Sequence, residues 1–321
     1  MNNKIVKPIS LTLVVILVLG VILYSLADRY LIERVIIDHV PAVQIAPTQQ
    51  ANLIQTTAPV AAQAKVGSNK SVRYDDWNYE REGVSIHIEQ VTAGSGNSQV
   101  VYYIADVKIA DATLLSNAFA KNQFGKNIIQ YTSQIAQNND AIFAINGDYY
   151  GFRSDGIIIR NGVVFRDVPA RTGVAFYRDG SMRIYDETKT TAEQLLADGV
   201  WNTFSFGPAL VEYSEVVVTQ SKVMIDTNMG NHSIQGDNPR TGVGIIGNNH
   251  FIFVVVDGRS RGYSVGLDLT EFANIFKELG CTAAYNLDGG GSSTMYFMGR
   301  TVNNPLGTEK ERGTSDILFI K

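Results

Sequence analysis

The stretch that decides the fold is AAYNLDGGGSS at residues 283–293, an apolar run that ends in an aspartate and three glycines. Ala283–Leu287 has the length and composition of a buried strand, and Asp288 stands at its end. Consecutive glycines lose much backbone freedom on folding, but they allow close approach of a bound group. Their N–H groups can hold an oxyanion or a phosphate. The stretch therefore predicts a carboxylate and a glycine-lined anion site at one strand end.

The glycines Gly289, Gly290 and Gly291 are followed by Ser292 and Ser293, which add two hydroxyl donors. The segment has no lysine, and a strand-like run follows it instead of a helix, so it does not match a nucleotide-binding phosphate loop. A flexible turn without a ligand is the alternative interpretation.

The same arrangement occurs at two other places. Ala141–Ile145 leads into Asn146-Gly147-Asp148, and Phe251–Val256 leads into Asp257-Gly258. An Asp-Gly pair can simply make a turn after a strand. Three such ends in one domain instead favour a cleft in which Asp148, Asp257 and Asp288 are held by rigid strands.

Arginines near these strand ends could neutralise a phosphate. Arg240 stands in Asn-Pro-Arg-Thr-Gly at 238–242, Arg259 follows Asp257-Gly258, and Arg171 occurs in a similar Ala-Arg-Thr-Gly. A guanidinium matches phosphate oxygens bidentately. His232 is a candidate proton carrier, although a histidine in a loop is usually only solvated.

Two further features bear on ligand binding. Tyr149, Tyr150 and Phe152 follow Asp148, and such rings either stack on sugars or belong to the core. No His/Cys set has zinc spacing, but the three aspartates could hold Mg²⁺ or Ca²⁺ through oxygen. The formal net charge of −4 gives no support for a nucleic-acid partner. The lone cysteine, Cys281, is expected to be a buried apolar residue.

The amino-terminal region predicts export. Ile9–Ala27 has 19 residues without a charge, enough for a membrane anchor. A cleaved signal peptide is the alternative, because Ser25-Leu26-Ala27 resembles a cleavage site. Residues 28–76 read as a juxtamembrane segment and a Pro/Gln/Ala/Thr-rich stalk, since 41–70 contains no aromatic residue. We expect a single-pass membrane protein with its catalytic domain outside the cell, or a secreted one if the segment is cleaved.

Residues 77–321 predict a single α+β catalytic domain with a mixed β-sheet and a few helices. Hairpins are expected around Asn161-Gly162, Asp179-Gly180 and 247–249. Helices are expected at Ile129–Asn138 and Leu269–Leu279, and at Thr190–Asp198 with Thr190 as the cap.

The motifs together resemble the phosphodiester glycosidase family. The matching segments, in the family's order, are Asn146–Tyr150, Ser205–Pro208, Asn238–Thr241, Asp257–Arg259 and Asn286–Ser293. The resemblance runs from about residue 80 to the C-terminus. It implies hydrolysis of a sugar–phosphate–alcohol diester on the sugar side, with a glycan or glycolipid of the cell envelope or an exopolysaccharide as substrate.

We accordingly predict Asp148 and Asp288 as the catalytic pair. The predicted substrate-binding residues are Asn146, Tyr149, Arg240, Thr241, Asp257, Arg259, Asn286, Gly289, Gly290, Gly291, Ser292 and Ser293. In this scheme Asn146 and Asn286 orient sugar hydroxyls, and Asp257 supports an arginine. A metal-dependent phosphodiesterase and a non-catalytic polysaccharide-binding protein are the alternative functions.

Overall fold

The computed structural model describes residues 6–38, 72–218, 234 and 236–321, with side chains from Leu13 onward except those of Arg29 and Tyr30. The helices are α1 (Val6–Tyr30), α2 (Thr132–Asn138), α3 (Ala192–Ala197) and α4 (Leu269–Glu278). The strands are β1 (Arg34–Ile37), β2 (Arg73–Tyr74), β3 (Asn78–Arg81), β4 (Val84–Ala93), β5 (Val100–Ile109), β6 (Leu115–Phe119), β7 (Phe124–Lys126), β8 (Phe143–Asn146), β9 (Gly156–Arg160), β10 (Val163–Val168), β11 (Thr172–Tyr177), β12 (Met182–Asp186), β13 (Val200–Phe204), β14 (Ala209–Glu212), β15 (Glu215–Val216), β16 (Arg240–Gly247), β17 (His250–Val256), β18 (Ala283–Asn286), β19 (Met295–Phe297), β20 (Arg300–Thr301) and β21 (Asp316–Ile320).

Two large sheets dominate this α+β domain. One has nine strands in the order β15-β14-β18-β16-β17-β5-β4-β3-β2, and the other has five in the order β20-β19-β8-β21-β6. Every strand pairing in the described part of the chain is antiparallel, so the predicted mixed sheet is wrong. The reason lies in the connection through α4, which joins β17 to β18. These two strands run in the same direction, but β16 lies between them and pairs antiparallel with each, so they never form a parallel pair.

The central strands of the nine-stranded sheet, β16, β17 and β18, are buried on both faces, which explains the continuous apolar sequence of β17. Phe251, Phe253 and Val255 point into the core shared with the five-stranded sheet. The alternate residues, Ile252 and Val254 among them, pack with the apolar face of α4. Helix α4 begins with a complete capping box between Asp268 and Glu271. Cys281 is buried in the same cluster, as predicted, and burial raises the pKa of its thiol to about 12.

The five-stranded sheet carries α2 on its other face. Ile135 and Ala136 of α2 pack against Ala144 of β8 and Ile317 of β21. The order of layers is therefore α4, nine-stranded sheet, five-stranded sheet, α2. The ends of β8 and β18 face each other between the two sheets, and this positions the site.

The described amino-terminal segment packs on this domain. Strand β1 pairs with β7, and the Asn127 side chain donates to the carbonyls of Asp28 and Ile32 at 2.8 Å. The chain thus leaves α1 as a docked strand. None of the helices in the described part of the chain combines the length and apolarity needed to cross a membrane. The anchor at 9–27 stays a prediction. The stalk predicted at 41–70 lies outside the described residues.

Local sequence signals hold for the hairpins, because β9–β10, β11–β12 and β16–β17 all pair as predicted. Helix α2 begins at Thr132, three residues after the predicted start. The predicted cap of α3 was wrong by one residue. The hydroxyl of Thr191, rather than that of Thr190, accepts a hydrogen bond from the Gln194 N–H at 3.2 Å.

We expect Thr191→Ala to lower the free energy of unfolding by about 1 kcal/mol, because it leaves an N–H of the first turn of α3 without its acceptor. Urea denaturation measures the change. Thr190→Ala is the matched control and should change stability by less than about 0.5 kcal/mol. A larger loss of stability in Thr190→Ala than in Thr191→Ala would show that Thr190 is the cap, as the sequence pattern predicts.

Candidate active site

The site lies where the ends of β8 and β18 are joined by the side chain of Asn146. Asn146 is fully buried. Its Nδ2 donates to the Asp288 carbonyl at 2.6 Å, and its Oδ1 accepts from the Thr241 hydroxyl at 2.8 Å and the Thr294 N–H at 3.1 Å. The structure therefore brings Asn146, Thr241 and Asp288 together as predicted, with Asn146 and Thr241 bonded to the protein itself.

Asp148, two residues beyond Asn146, is buried and fixed through both carboxylate oxygens. Oδ1 accepts from the Tyr149 N–H at 2.6 Å, and Oδ2 accepts from the Ser205 N–H at 2.8 Å. The Nη2 atom of Arg160 lies 4.0 Å from Oδ2. Asp148 thereby ties the 205–208 segment to the end of β8.

Asp288 lies among cationic groups. Its Oδ1 accepts from the Gly289 N–H at 2.9 Å, and its Oδ2 lies 3.5 Å from Nη2 of Arg312. Burial raises the pKa of Asp288, while Arg312, the Ser292 hydroxyl, the Gly289 N–H and Arg153 act in the opposite direction. A carboxyl group with a raised pKa beside arginines is suited to proton transfer or to charge stabilisation.

The glycine loop is only partly available as an anion cradle. The Gly289 N–H already binds the Asp288 carboxylate, and the Gly290 N–H donates to the Pro239 carbonyl at 2.9 Å. Gly290 has φ of +64°, and a Cβ there would lie 3.2 Å from the guanidinium nitrogens of Arg259. The glycine is therefore needed both for the turn and for the approach of Arg259.

Two guanidinium groups flank this loop. Arg312 donates to the Ser292 hydroxyl at 2.9 Å and to the Gly289 carbonyl at 3.1 Å, and about half of its side chain is exposed. Arg259, against Gly290, donates to Asn238 Oδ1 at 2.7 Å. Burial and the charge of Arg312 both lower the pKa of Arg259. Two cations that both lie against the glycine loop make a corner suited to a phosphate whose oxygens accept hydrogen bonds from each guanidinium.

A third arginine, Arg153, lies among aromatic rings and lowers the pKa of Asp288. The guanidinium carbon of Arg153 lies 5.3 Å from the Tyr149 ring centroid and 5.0 Å from that of Phe206. Tyr149 stacks on Phe152 at 4.7 Å. Nη1 of Arg153 donates to the Ser205 carbonyl at 2.9 Å, whereas its buried Nε has no hydrogen-bond partner among the described residues. This group combines a polar donor with flat apolar surfaces.

Two buried oxygens of the predicted site residues also have no partner among the described residues. The Asn286 side chain donates through Nδ2 to the Gly207 carbonyl at 2.8 Å, and its Oδ1 makes no bond. The Ser293 hydroxyl is likewise without a partner. Buried polar atoms are rarely left unbonded. Asn286 is therefore better placed than Asn146 to receive a ligand hydroxyl.

Arg240 has different surroundings from those expected. Arg240 is buried and donates to the carbonyls of Leu267, Ile234 and Gly236, and burial lowers its pKa to about 10. Its predicted role in phosphate binding stays a prediction.

Asp257 was expected to support an arginine, and this is wrong. Among the described residues its carboxylate accepts from the Asn303 side chain at 2.7 Å, the Asn304 N–H at 2.9 Å and the Tyr263 hydroxyl at 2.8 Å. Asn303 in turn donates to the Ser293 carbonyl at 3.0 Å. Asp257 therefore fixes the chain that leaves the glycine loop.

Sequence reasoning missed Arg153, Arg160, Arg312 and Asp316. Arg312 stands in Glu-Arg-Gly-Thr-Ser at 311–315, just ahead of β21, and this segment resembles Asn-Pro-Arg-Thr-Gly at 238–242, where β16 begins. That parallel could have revealed it. Arg171, a phosphate-binding candidate from the sequence, donates to the Ser205 hydroxyl at 3.0 Å and pairs with Asp155 at 2.7 Å. His232 lies outside the described residues.

The predicted aspartates do not form a common metal-binding set. In the described part of the chain no three His, Cys, Asp or Glu side chains converge as a candidate metal site. The carboxylate of Asp257 is directed to Asn303, Asn304 and Tyr263 instead of toward Asp148 and Asp288.

A buried carboxylate, a glycine loop and flanking arginines thus lie together where the two sheets meet. The phosphodiester glycosidase family model matches residues 139–321, which is more than half of the chain. The chain belongs to the phosphodiester glycosidase family.

The chain is also similar to a relative of known sequence. The SPbeta prophage-derived uncharacterized protein YomE of Bacillus subtilis (strain 168) is 31% identical over 206 residues, which are 61% of this chain and 30% of that protein. The chain thus spans less than a third of that relative's length.

Solved structures share the fold. The catalytic domain of zebrafish N-acetylglucosamine-1-phosphodiester alpha-N-acetylglucosaminidase, auto-inhibited by its pro-peptide, matches with a TM-score of 0.58 and 20% identity, over 74% of this chain and 83% of that one. A hypothetical protein from Synechocystis matches with a TM-score of 0.55 and 16% identity, over 79% of this chain and 64% of that one.

We expect Arg312→Gln to weaken the binding of inorganic phosphate by about 1.5 kcal/mol, roughly tenfold, because it removes a charged donor beside the glycine loop. This value is at the lower end of the range for hydrogen bonds to charged groups, because the Arg312 side chain is half exposed. Isothermal titration calorimetry at constant ionic strength measures the affinity. Arg183→Gln, an exposed arginine on β12, is the control, and equal affinities of the two variants would remove Arg312 from the anion site.

Proposed function

We propose that the chain hydrolyses a sugar-1-phospho-alcohol diester by breaking the bond between the anomeric carbon and the phosphate oxygen. One observation carries the proposal: Asp288 pairs with Arg312 beside the glycine loop, and its pKa is also lowered by Arg153, which lies against the Tyr149 and Phe206 rings. The surroundings of Arg312 suit a phosphate, and the Arg153–Tyr149–Phe206 group suits a sugar ring. Membership of the phosphodiester glycosidase family supports the same chemistry.

The phosphate would occupy the corner formed by Arg312, Arg259 and the glycine loop. Negative charge grows on the departing phosphate as the bond to the sugar breaks. Fixed guanidinium donors lower the energy of that charge more than they lower the energy of the bound diester. A phosphate oxygen leaves readily, so little protonation of the leaving group is needed.

The sugar would lie against Tyr149 and Phe206, with its hydroxyls bonded by Asn286 Oδ1 and Arg153 Nε. Both atoms are buried and lack partners among the described residues, so a bound sugar would satisfy them. The Tyr149 and Phe152 rings are already stacked, which prepares a flat apolar wall for the sugar face.

Asp288 would act at the anomeric carbon, either directly or through a water molecule that it deprotonates. Water supplies a hydroxyl group to that carbon, and its proton passes first to the carboxylate and then to the solvent or the phosphate. Asp148, whose two oxygens are occupied by backbone N–H groups, would act as the second carboxylate by its charge and by holding the 205–208 segment.

The proposed reaction is tested by its products. The purified protein is incubated with a sugar-1-phospho-alcohol, with and without EDTA, and the products are identified by mass spectrometry. We expect free sugar and an alcohol phosphate. Sugar phosphate and free alcohol would instead identify a phosphodiesterase, and loss of turnover with EDTA would reveal a Mg²⁺ or Ca²⁺ requirement. The absence of turnover over a panel of sugars would favour a polysaccharide-binding role.

We expect Asp288→Asn to reduce kcat by about 100-fold or more, the range supplied by general acid–base groups. Asp179→Asn is the control, since Asp179 is an exposed aspartate that precedes a glycine in the β11–β12 hairpin. Steady-state kinetics and circular dichroism together separate a chemical effect from unfolding. Normal turnover of Asp288→Asn would refute the mechanism.

The pH dependence follows from the raised pKa of Asp288. The ionised carboxylate is needed, so kcat/KM should fall as the pH drops through an apparent pKa above the usual aspartate value of about 3.9. Arg312 lowers the pKa of Asp288, so Arg312→Gln should move the acid limb of the pH profile, in which kcat/KM falls, to higher pH. A pH–rate profile of both proteins measures the shift, and a limb that moves to lower pH contradicts the assignment.

A further inference from the structure

A buried pair of charged residues, Arg160 and Asp316, lies behind Asp148 and has no part in the mechanism above. Both side chains are almost completely inaccessible, with exposures of 1% for Arg160 and 0% for Asp316. Nε of Arg160 lies 2.8 Å from Oδ2 of Asp316, and its Nη2 lies 4.0 Å from Oδ2 of Asp148. One guanidinium thus faces two buried carboxylates.

Asp316 holds the backbone on which Asp148 is mounted. Its Oδ1 accepts from the Asp148 N–H at 2.8 Å, and its carbonyl accepts from the Gly147 N–H at 2.9 Å. A Cβ at Gly147 would lie 2.2 Å from the same Oδ1. Only glycine permits this approach, so the contact between the turn and the carboxylate is built into the backbone.

Asp316 is itself held by donors on its other oxygen. Oδ2 accepts from Nδ2 of Asn117 at 2.9 Å and from Nε of Arg160. Arg160 is fixed in turn, since its Nη1 donates to the carbonyls of Ile159 and Thr203. Its guanidinium carbon lies 4.2 Å from the Phe204 ring centroid. The chain of contacts therefore runs from β6, β9 and β13 through Asp316 to the Asp148 turn.

We propose that Asp316 and Arg160 are positioning residues that hold Asp148 in its working orientation. The proposal rests on the function proposed above, in which Asp148 is the second carboxylate. Burying two carboxylates and one guanidinium is unfavourable unless each is well bonded. Hydrophobic residues of similar size could fill the same space. The charged pair is therefore explained by its hold on the backbone of Asp148.

Asp316→Asn is the informative change because it keeps the shape of the side chain. The amide has one acceptor, whereas the carboxylate accepts on both oxygens. Whichever way the amide is turned, its NH₂ group faces a donor: the Asp148 N–H on one side, or Asn117 and Arg160 on the other. One set of contacts must therefore be lost.

Glu187→Gln is a matched control. Glu187 is also fully buried and accepts from backbone N–H groups on both oxygens, those of Ile157, Ala170 and Arg171. The same donor conflict arises in that variant, but its contacts lie outside the Asp148 turn. A general cost of losing a buried carboxylate would affect the two variants equally.

We expect Asp316→Asn to lower kcat by about 10- to 100-fold, the scale of a small misplacement of a reacting group. KM should stay within about twofold, since the phosphate and sugar contacts remain. Glu187→Gln should change kcat by less than about twofold. Equal kcat losses in the two variants, or none in Asp316→Asn, would overturn the proposal.

A second measurement does not depend on turnover. Residue-resolved hydrogen exchange should show the Asp148 amide of Asp316→Asn exchanging at least about tenfold faster than in the wild type and in Glu187→Gln. Unchanged exchange there would overturn the positioning role. If the wild-type protein hydrolyses no sugar phosphodiester, the proposed function fails, and faster exchange would still support the hold of Asp316 on the Asp148 turn.

Discussion

The side-chain amide of Asn146 is the interaction on which the rest of the site depends. It bonds the end of β8 in one sheet to Thr241 and Asp288 in the other, with both of its polar atoms occupied. The packing of two apolar sheets sets the distance between them, but it only weakly fixes their lateral position relative to each other. A buried amide with three directional bonds fixes that position, because a shift would leave donors and acceptors unbonded in the interior.

Charge around the site is graded by access to solvent. Arg160 is sealed behind Asp148, and Arg153 is buried between rings, whereas Arg312 is half exposed at the edge of the glycine loop. Arg160 is bonded to groups of the protein, whereas Nε of Arg153 has no partner among the described residues. The exposed Arg312 keeps the freedom to meet an incoming anion and to release it. Asp288 lies at the boundary between these environments, which accounts for the opposing influences on its pKa.

The sequence was informative where one segment determines its own structure. The strands that end at Asn146, Val256 and Asn286, the hairpins and helix α4 all carry their signals within a few residues. It was uninformative about partners. Asp257 binds Asn303, 46 residues away, and Arg160 binds Asp316, 156 residues away. Such pairings depend on how the sheets stack, and the periodicity of apolar residues does not predict that stacking. The one-residue error at Thr191 arose because neighbouring threonines offer equal capping chemistry.

Strand order also bears on where this chain can be divided. The family model begins at residue 139, yet β5 and β4 pair beyond β17, and β6 pairs with the carboxyl-terminal strand β21. Both large sheets are thus completed by strands from before that boundary. A chain cut at residue 139 would present the bare edges of β17 and β21, which invite association with other chains. The family model therefore spans a shorter length of polypeptide than the two sheets need.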